Sequence, residues 1–184
     1  VAIGRQALYS NTTASNNTAV GYQAAYSNTT GTYNDSFGRS SLRLLTTGGN
    51  NVAIGAASLE QTTTASDNTS VGHGAMNSNT TGASNVAVGK HALLYNTTAS
   101  NNTAVGNVAG YSTTTGALNT FVGREAAYSN TTGQHNVAIG QSANYANTTG
   151  NYNVSLGSQA LRFNTTTSRN TAVGYQALYS QTTA

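Results

Sequence analysis

Apolar side chains recur along this chain at one fixed interval. An apolar residue stands directly before a glycine at Ile3, Val20, Phe37, Ile54, Val71, Val88, Val105, Val122, Ile139, Leu156 and Val173, each 17 residues from the last. The glycines Gly4, Gly21, Gly38, Gly55, Gly72, Gly89, Gly106, Gly123, Gly140, Gly157 and Gly174 keep that interval without an insertion or deletion. Counting each unit from Val1 makes the apolar residue position 3 and the glycine position 4. Position 17 is Asn in every complete unit: Asn17, Asn34, Asn51, Asn68, Asn85, Asn102, Asn119, Asn136, Asn153 and Asn170. Positions 12 and 13 are Thr-Thr from Thr12-Thr13 to Thr182-Thr183, position 7 is Ala or Ser, and position 8 is mostly Leu, Met or Ala. A fixed period of this kind is the signature of a repeat architecture.

The pattern inside one unit excludes a helix. No apolar spacing near 3.6 appears, and a Gly with two Thr in each unit disfavours helix. Runs such as Val52-Ala53-Ile54 alternate with period two and predict a short strand. Ala24-Ala25-Tyr26-Ser27 predicts a second strand, with Gly at position 4 and the Asn-Thr-Thr-Gly segment as the bends. One such unit cannot bury its apolar face, but stacked units can. The unbroken interval supports stacking, because a one-residue slip turns every strand side chain to the opposite face. The expected fold is all-β: a β-solenoid, or β-roll, of about 11 rungs. It forms one tandem array over 1–184, with units starting at 1, 18, 35, 52, 69, 86, 103, 120, 137, 154 and 171. At ~4.8 Å per rung the rod would be roughly 50 Å long. Positions 1 and 3 are expected to face the core, with position 8 opposite. The small residue at position 2 would then face outward against a neighbouring chain.

Composition narrows the function. Only 6% of residues are charged and there is no Cys and no Pro, so disulfides and Cys-based metal or redox sites are excluded. The absence of Pro fits unbroken ladders, since Pro removes a donor. No apolar run approaches the ~20 residues of a membrane span. The small net charge of +3 is scattered, which argues against nucleic-acid binding. The acids Asp35, Glu60, Asp67 and Glu125 and the histidines His73, His91 and His135 occupy different units and positions. They suggest no catalytic pair, no metal cluster and no cofactor site.

Each recurring polar position has a reading of its own. Asn at position 17 would stack into an amide ladder. The Thr pair would close a bend or, on a flat outward face, order water or bind ice. Tyr at position 9 (Tyr9, Tyr26, Tyr111, Tyr128, Tyr145 and Tyr179) would support the half-buried face or stack on sugars. Arg5, Arg39, His73, Lys90 and Arg124 share position 5 and would form a weakly basic stripe. Asn11, Asn28, Asn79, Asn96, Asn130, Asn147 and Asn164 each begin an Asn-Thr-Thr glycosylation sequon.

The units Asn51–Gly55, Asn85–Gly89 and Asn136–Gly140 resemble the head repeats of YadA-type trimeric autotransporter adhesins. The run Asn170 to Leu178 is also similar to repeats of bacteriophage tail fibres and other bacterial surface proteins. The resemblance implies a left-handed parallel β-roll and side-by-side packing of three chains. The coil here is longer than the usual head repeat, carrying the added Asn-Thr-Thr turn. The chain starts within a strand motif and stops at position 14 of a unit, without a polar capping repeat, which suggests a segment of a longer array or filament.

The expected function is therefore a structural, non-enzymatic fibre or filament protein, extracellular, on a bacterial surface or phage particle. Its partners would be further copies of itself, in a lateral trimer or end to end. The alternatives are an adhesin or tail-fibre shaft that binds a receptor or glycan through positions 5, 6, 9, 15 and 16, and an ice-binding solenoid.

Overall fold

A computed structural model describes residues 1–180. The eleventh Thr pair, Thr182-Thr183, lies outside them. Eleven short strands form one parallel sheet in sequence order, and the described residues contain no helix. The strands are β1 (Ala2–Ile3), β2 (Thr18–Val20), β3 (Asp35–Phe37), β4 (Val52–Ile54), β5 (Thr69–Val71), β6 (Val86–Val88), β7 (Thr103–Val105), β8 (Thr120–Val122), β9 (Val137–Ile139), β10 (Val154–Leu156) and β11 (Thr171–Val173). Every pairing joins equivalent positions of successive units, such as Val86 with Thr103 and Val88 with Val105. The chain is a β-solenoid with one 17-residue coil per rung.

The strand faces are the reverse of the expectation. Position 2 is fully buried in the inner rungs, from Ala19 to Phe121 and Ala138, while positions 1 and 3 point outward. Ile54 and Ile139 at position 3 remain 42% and 40% exposed. The small residue at position 2 is therefore set by the interior, not by a neighbouring chain. The coil is thin, and position 2 meets positions 7 and 8 across it, so the core consists of Ala ladders and a Leu/Met column. Phe121 is the exception that shows the constraint. A Cβ on Gly110, at position 8 of the preceding rung, would lie 2.8 Å from the Phe121 ring; the large residue is accommodated by removing the small one's side chain. Where Ser replaces Ala in this interior, hydroxyls pair: Ser58 Oγ lies 2.7 Å from Ser70 Oγ, and Ser36 pairs with Ser41.

The second predicted strand is not extended. Positions 6 and 8 adopt positive φ in rung after rung, as in His91 (58°) and Leu93 (49°), and position 16 does so as well. With left-handed residues at positions 6 and 8, the amides of this segment point to different rungs of the stack. The amide of position 6 donates to the rung before (His91 N–H to His73 O, 3.0 Å), and that of position 8 to the rung after (Leu93 N–H to Ala109 O, 2.9 Å). This side of the coil is thus laddered without being a β-strand. A left-handed L-residue costs roughly 1–2 kcal/mol, and the inter-rung bonds that it aligns offset this.

Two positions hold the corners. At position 4 φ lies near +130°, and a Cβ on Gly89 would sit 2.5 Å from the Gly106 carbonyl oxygen. Glycine is required there by both conformation and space. At position 17 each Asn from Asn17 to Asn153 clasps the next rung twice. Asn102 Oδ1 accepts the Asn119 backbone N–H at 3.0 Å, and Asn102 Nδ2 donates to the Gly116 carbonyl at 2.9 Å. The same backbone-to-Oδ1 bond runs unbroken from Asn17 to Asn170, at 2.8–3.1 Å.

One rung departs from this economy. Asn144 occupies position 8, fully buried between Ala127 and Leu161 in the column, and neither of its amide atoms has a hydrogen-bond partner. Asn tolerates the left-handed conformation better than Leu does, but Leu adopts it at this position elsewhere, as at Leu59 and Leu161. An unpaired buried amide costs about 1–3 kcal/mol, and burying Leu contributes about 1.5–3 kcal/mol. Asn144→Leu is expected to stabilise the chain by about 2 kcal/mol. A thermal melt checks this; a lower Tm would contradict it.

Candidate functional site: the outward face of the ladder

No cavity or groove is present among the described residues, so surface chemistry rests on the columns that the repeat presents. The outward side of the sheet carries position 3 as an unbroken apolar column and position 1 as Val or Thr, with Asp35 the one exception. Position 3 is never polar, although Phe37, Ile54, Val105 and Ile139 are exposed and Val20, Val71, Val88, Val122 and Leu156 only half-buried. On a monomer, contiguous exposed apolar surface of this length marks an interaction face. The sequence signal for this face is the constancy of position 3, which alternation alone places equally well in the core.

The expected functional positions fall on separate columns. Position 5 is exposed in the rungs bearing Arg5, Arg39, His73, Lys90 and Arg124. Position 16 is exposed and carries Tyr33, His135, Tyr152 and Arg169, with the His135 and Tyr152 rings stacked at 4.8 Å. Positions 6 and 9 are mostly half-buried.

The tyrosines at position 9 stack on one another. Tyr9 and Tyr26 lie 5.2 Å apart, Tyr111 and Tyr128 4.9 Å, and Tyr128 and Tyr145 5.2 Å, all within 8° of parallel. Within each stack the rings cover one another's inner faces, while the end ring Tyr9 stays 66% exposed. Tyr179 instead meets Phe163 edge to face.

The Thr pair divides its work. At position 12 the hydroxyl donates to the position-12 carbonyl of the next rung, as from Thr80 to Thr97 O at 2.9 Å. This bond repeats from Thr12 to Thr148. Position 13 is exposed throughout, so the pair offers one outward column rather than a two-column face.

The sequons do not present their amides. Asn28, Asn79, Asn96, Asn130, Asn147 and Asn164 are fully buried, and Nδ2 of each donates to the carbonyl three residues on, or to the neighbouring Asn. Only Asn11 is exposed. The corner that these side chains close is incompatible with a glycan on the folded coil.

Stacking also joins groups that the sequence separates. Arg43 and Glu60 pair at 2.9 Å across adjacent rungs. His73 Nδ1 and His91 Nε2 lie 3.2 Å apart, from positions 5 and 6 of successive rungs. No group of three metal-ligating side chains occurs among the described residues. Partial burial, then the charges of His73 and Lys90, hold His91 below the usual imidazole value; the other group facing it is the Tyr111 ring, 6.4 Å away. A depressed folded-state pKa means that the unfolded chain binds the proton more readily. The contribution is therefore full above about pH 6.5 and is lost as pH falls through the folded value. Tm is expected to decline below pH 6.5 in the wild type and to decline less in His91→Gln. Superimposable pH profiles would refute this.

No known family, curated protein or solved structure matches the chain.

Proposed function

We propose that this chain is a structural, non-enzymatic rod of an extracellular fibre that associates laterally with further copies through the outward sheet face. The observation that carries the reading is the position-3 column, apolar in all eleven units and left exposed or half-buried by its own coil. Every pairing repeats the same 17-residue register. Two copies therefore meet with matching axial spacing wherever they align. Covering one half-exposed Val or Ile contributes on the order of 1 kcal/mol. Association costs roughly 4–15 kcal/mol. The balance turns favourable only when rods align along most of their length, which selects long, in-register assemblies over point contacts. The resemblance to YadA-type heads and tail-fibre repeats supports side-by-side packing and a place on a bacterial surface or phage particle. A receptor or glycan would then meet the variable columns at positions 5 and 16, which remain outside the packed face.

Val88→Lys combined with Val122→Lys places two charges in the middle of the column without touching the interior. Sedimentation should show the wild type above its 18.7 kDa monomer mass and the double variant at the monomer mass with an unchanged circular dichroism spectrum. A wild type that stays monomeric at high concentration would overturn the proposal.

A further inference from the structure

The tyrosine columns have a chemistry that the packing role does not use. Tyr111, Tyr128 and Tyr145 stand on three successive rungs with near-parallel rings 4.9 and 5.2 Å apart, and Tyr9 and Tyr26 repeat the arrangement at 5.2 Å. Tyr95 extends the longer column by an edge contact to Tyr111 at 5.1 Å. The ring centres are separated by little more than two ring radii and one carbon–carbon bond. Rotation about Cβ–Cγ then turns the ortho carbons of neighbouring rings toward each other. The phenols are half-buried or exposed, so electrons and protons can leave. Competing sinks are scarce: the chain has no Cys and no Trp, and its single methionine, Met76, is fully buried.

We propose that the position-9 tyrosine columns are oxidative cross-linking sites, at which a one-electron oxidant joins adjacent rungs by dityrosine bonds. The oxidant, of the peroxidase–hydrogen peroxide class, takes one electron from each of two phenols, and each phenol releases its proton to water. The two phenoxyl radicals couple through their ortho carbons, and the two ring hydrogens at the new bond return to the phenol oxygens. The balance is two tyrosines to one dityrosine, two protons and two electrons, the electrons reducing peroxide to water. Each bond closes a loop of 17 residues between neighbouring coils. It supplies to a Cys-free rod the cross-link that disulfides supply elsewhere. The inference concerns bonds within one chain and does not rest on lateral association.

The test treats dilute protein with peroxidase and hydrogen peroxide, then reads dityrosine fluorescence, chain mass on a denaturing gel, and cross-linked peptides by mass spectrometry. Expected are fluorescence without a doubled chain mass, links at Tyr9–Tyr26, Tyr111–Tyr128 and Tyr128–Tyr145, and a Tm above that of the untreated chain. Tyr128→Phe keeps the ring and the stack. It should abolish both links that include residue 128 while leaving Tyr9–Tyr26 at wild-type yield. Links spread evenly over the isolated tyrosines Tyr22, Tyr33 and Tyr175, or products that join only separate chains, would overturn the inference.

Discussion

The asparagine at position 17 is the contact on which the rest of the molecule depends. A parallel strand of three residues holds its neighbour by only a few backbone bonds, and the other bonds between coils come from turn residues such as those at positions 6, 8 and 12. The Asn side chain extends the ladder around the corner. It accepts from the backbone of the next Asn and donates to a carbonyl on the next rung. Because Oδ1 and Nδ2 are both engaged, a change in coil length breaks the two bonds together, in a buried site where an unpaired polar group is costly. That accounts for a period that never varies, and for Asn where Asp or Ser would satisfy a simple turn.

Coil thinness follows from the same closure. With buried Asn at position 17 and mostly at position 11, the space left for apolar atoms is largely two columns of Ala or Ser and one column of Leu, Met or a smaller residue. The interior therefore discriminates by size, and Phe121 is admitted only beside Gly110. On the sheet itself the small residues of position 2 face inward and the branched or aromatic residues of position 3 face outward. A sheet with small residues on its inner face and Val, Ile, Leu or Phe on its outer face has its unspent hydrophobic surface where another rod can reach it.

The repeat, the strand at positions 1–3, the demand for glycine at position 4 and the Asn ladder were all legible from spacing. The orientation of the strand was not. Val-Ala-Ile alternates equally well with either face inward, and the usual rule that larger apolar residues go inside chose the wrong one. What decides is the width of the coil, which depends on contacts between position 2 and positions 7 and 8 that no local pattern reveals. The left-handed residues at positions 6 and 8 were invisible for a different reason. Leu, Gln and Ala carry no signal for positive φ, and they adopt it because the stacked neighbours supply the hydrogen bonds. The stacked Tyr columns followed from the period once position 9 was assigned, whereas the His73–His91 contact needed the offset between positions 5 and 6 of successive rungs.

Residue-resolved amide hydrogen exchange tests the clasp most directly. The backbone N–H groups of Asn68, Asn85, Asn102 and Asn119 should exchange only through global unfolding, as slowly as those of the adjoining strands. Exchange of these four amides at the rate of exposed loop positions would show that the asparagine ladder does not hold the coils together.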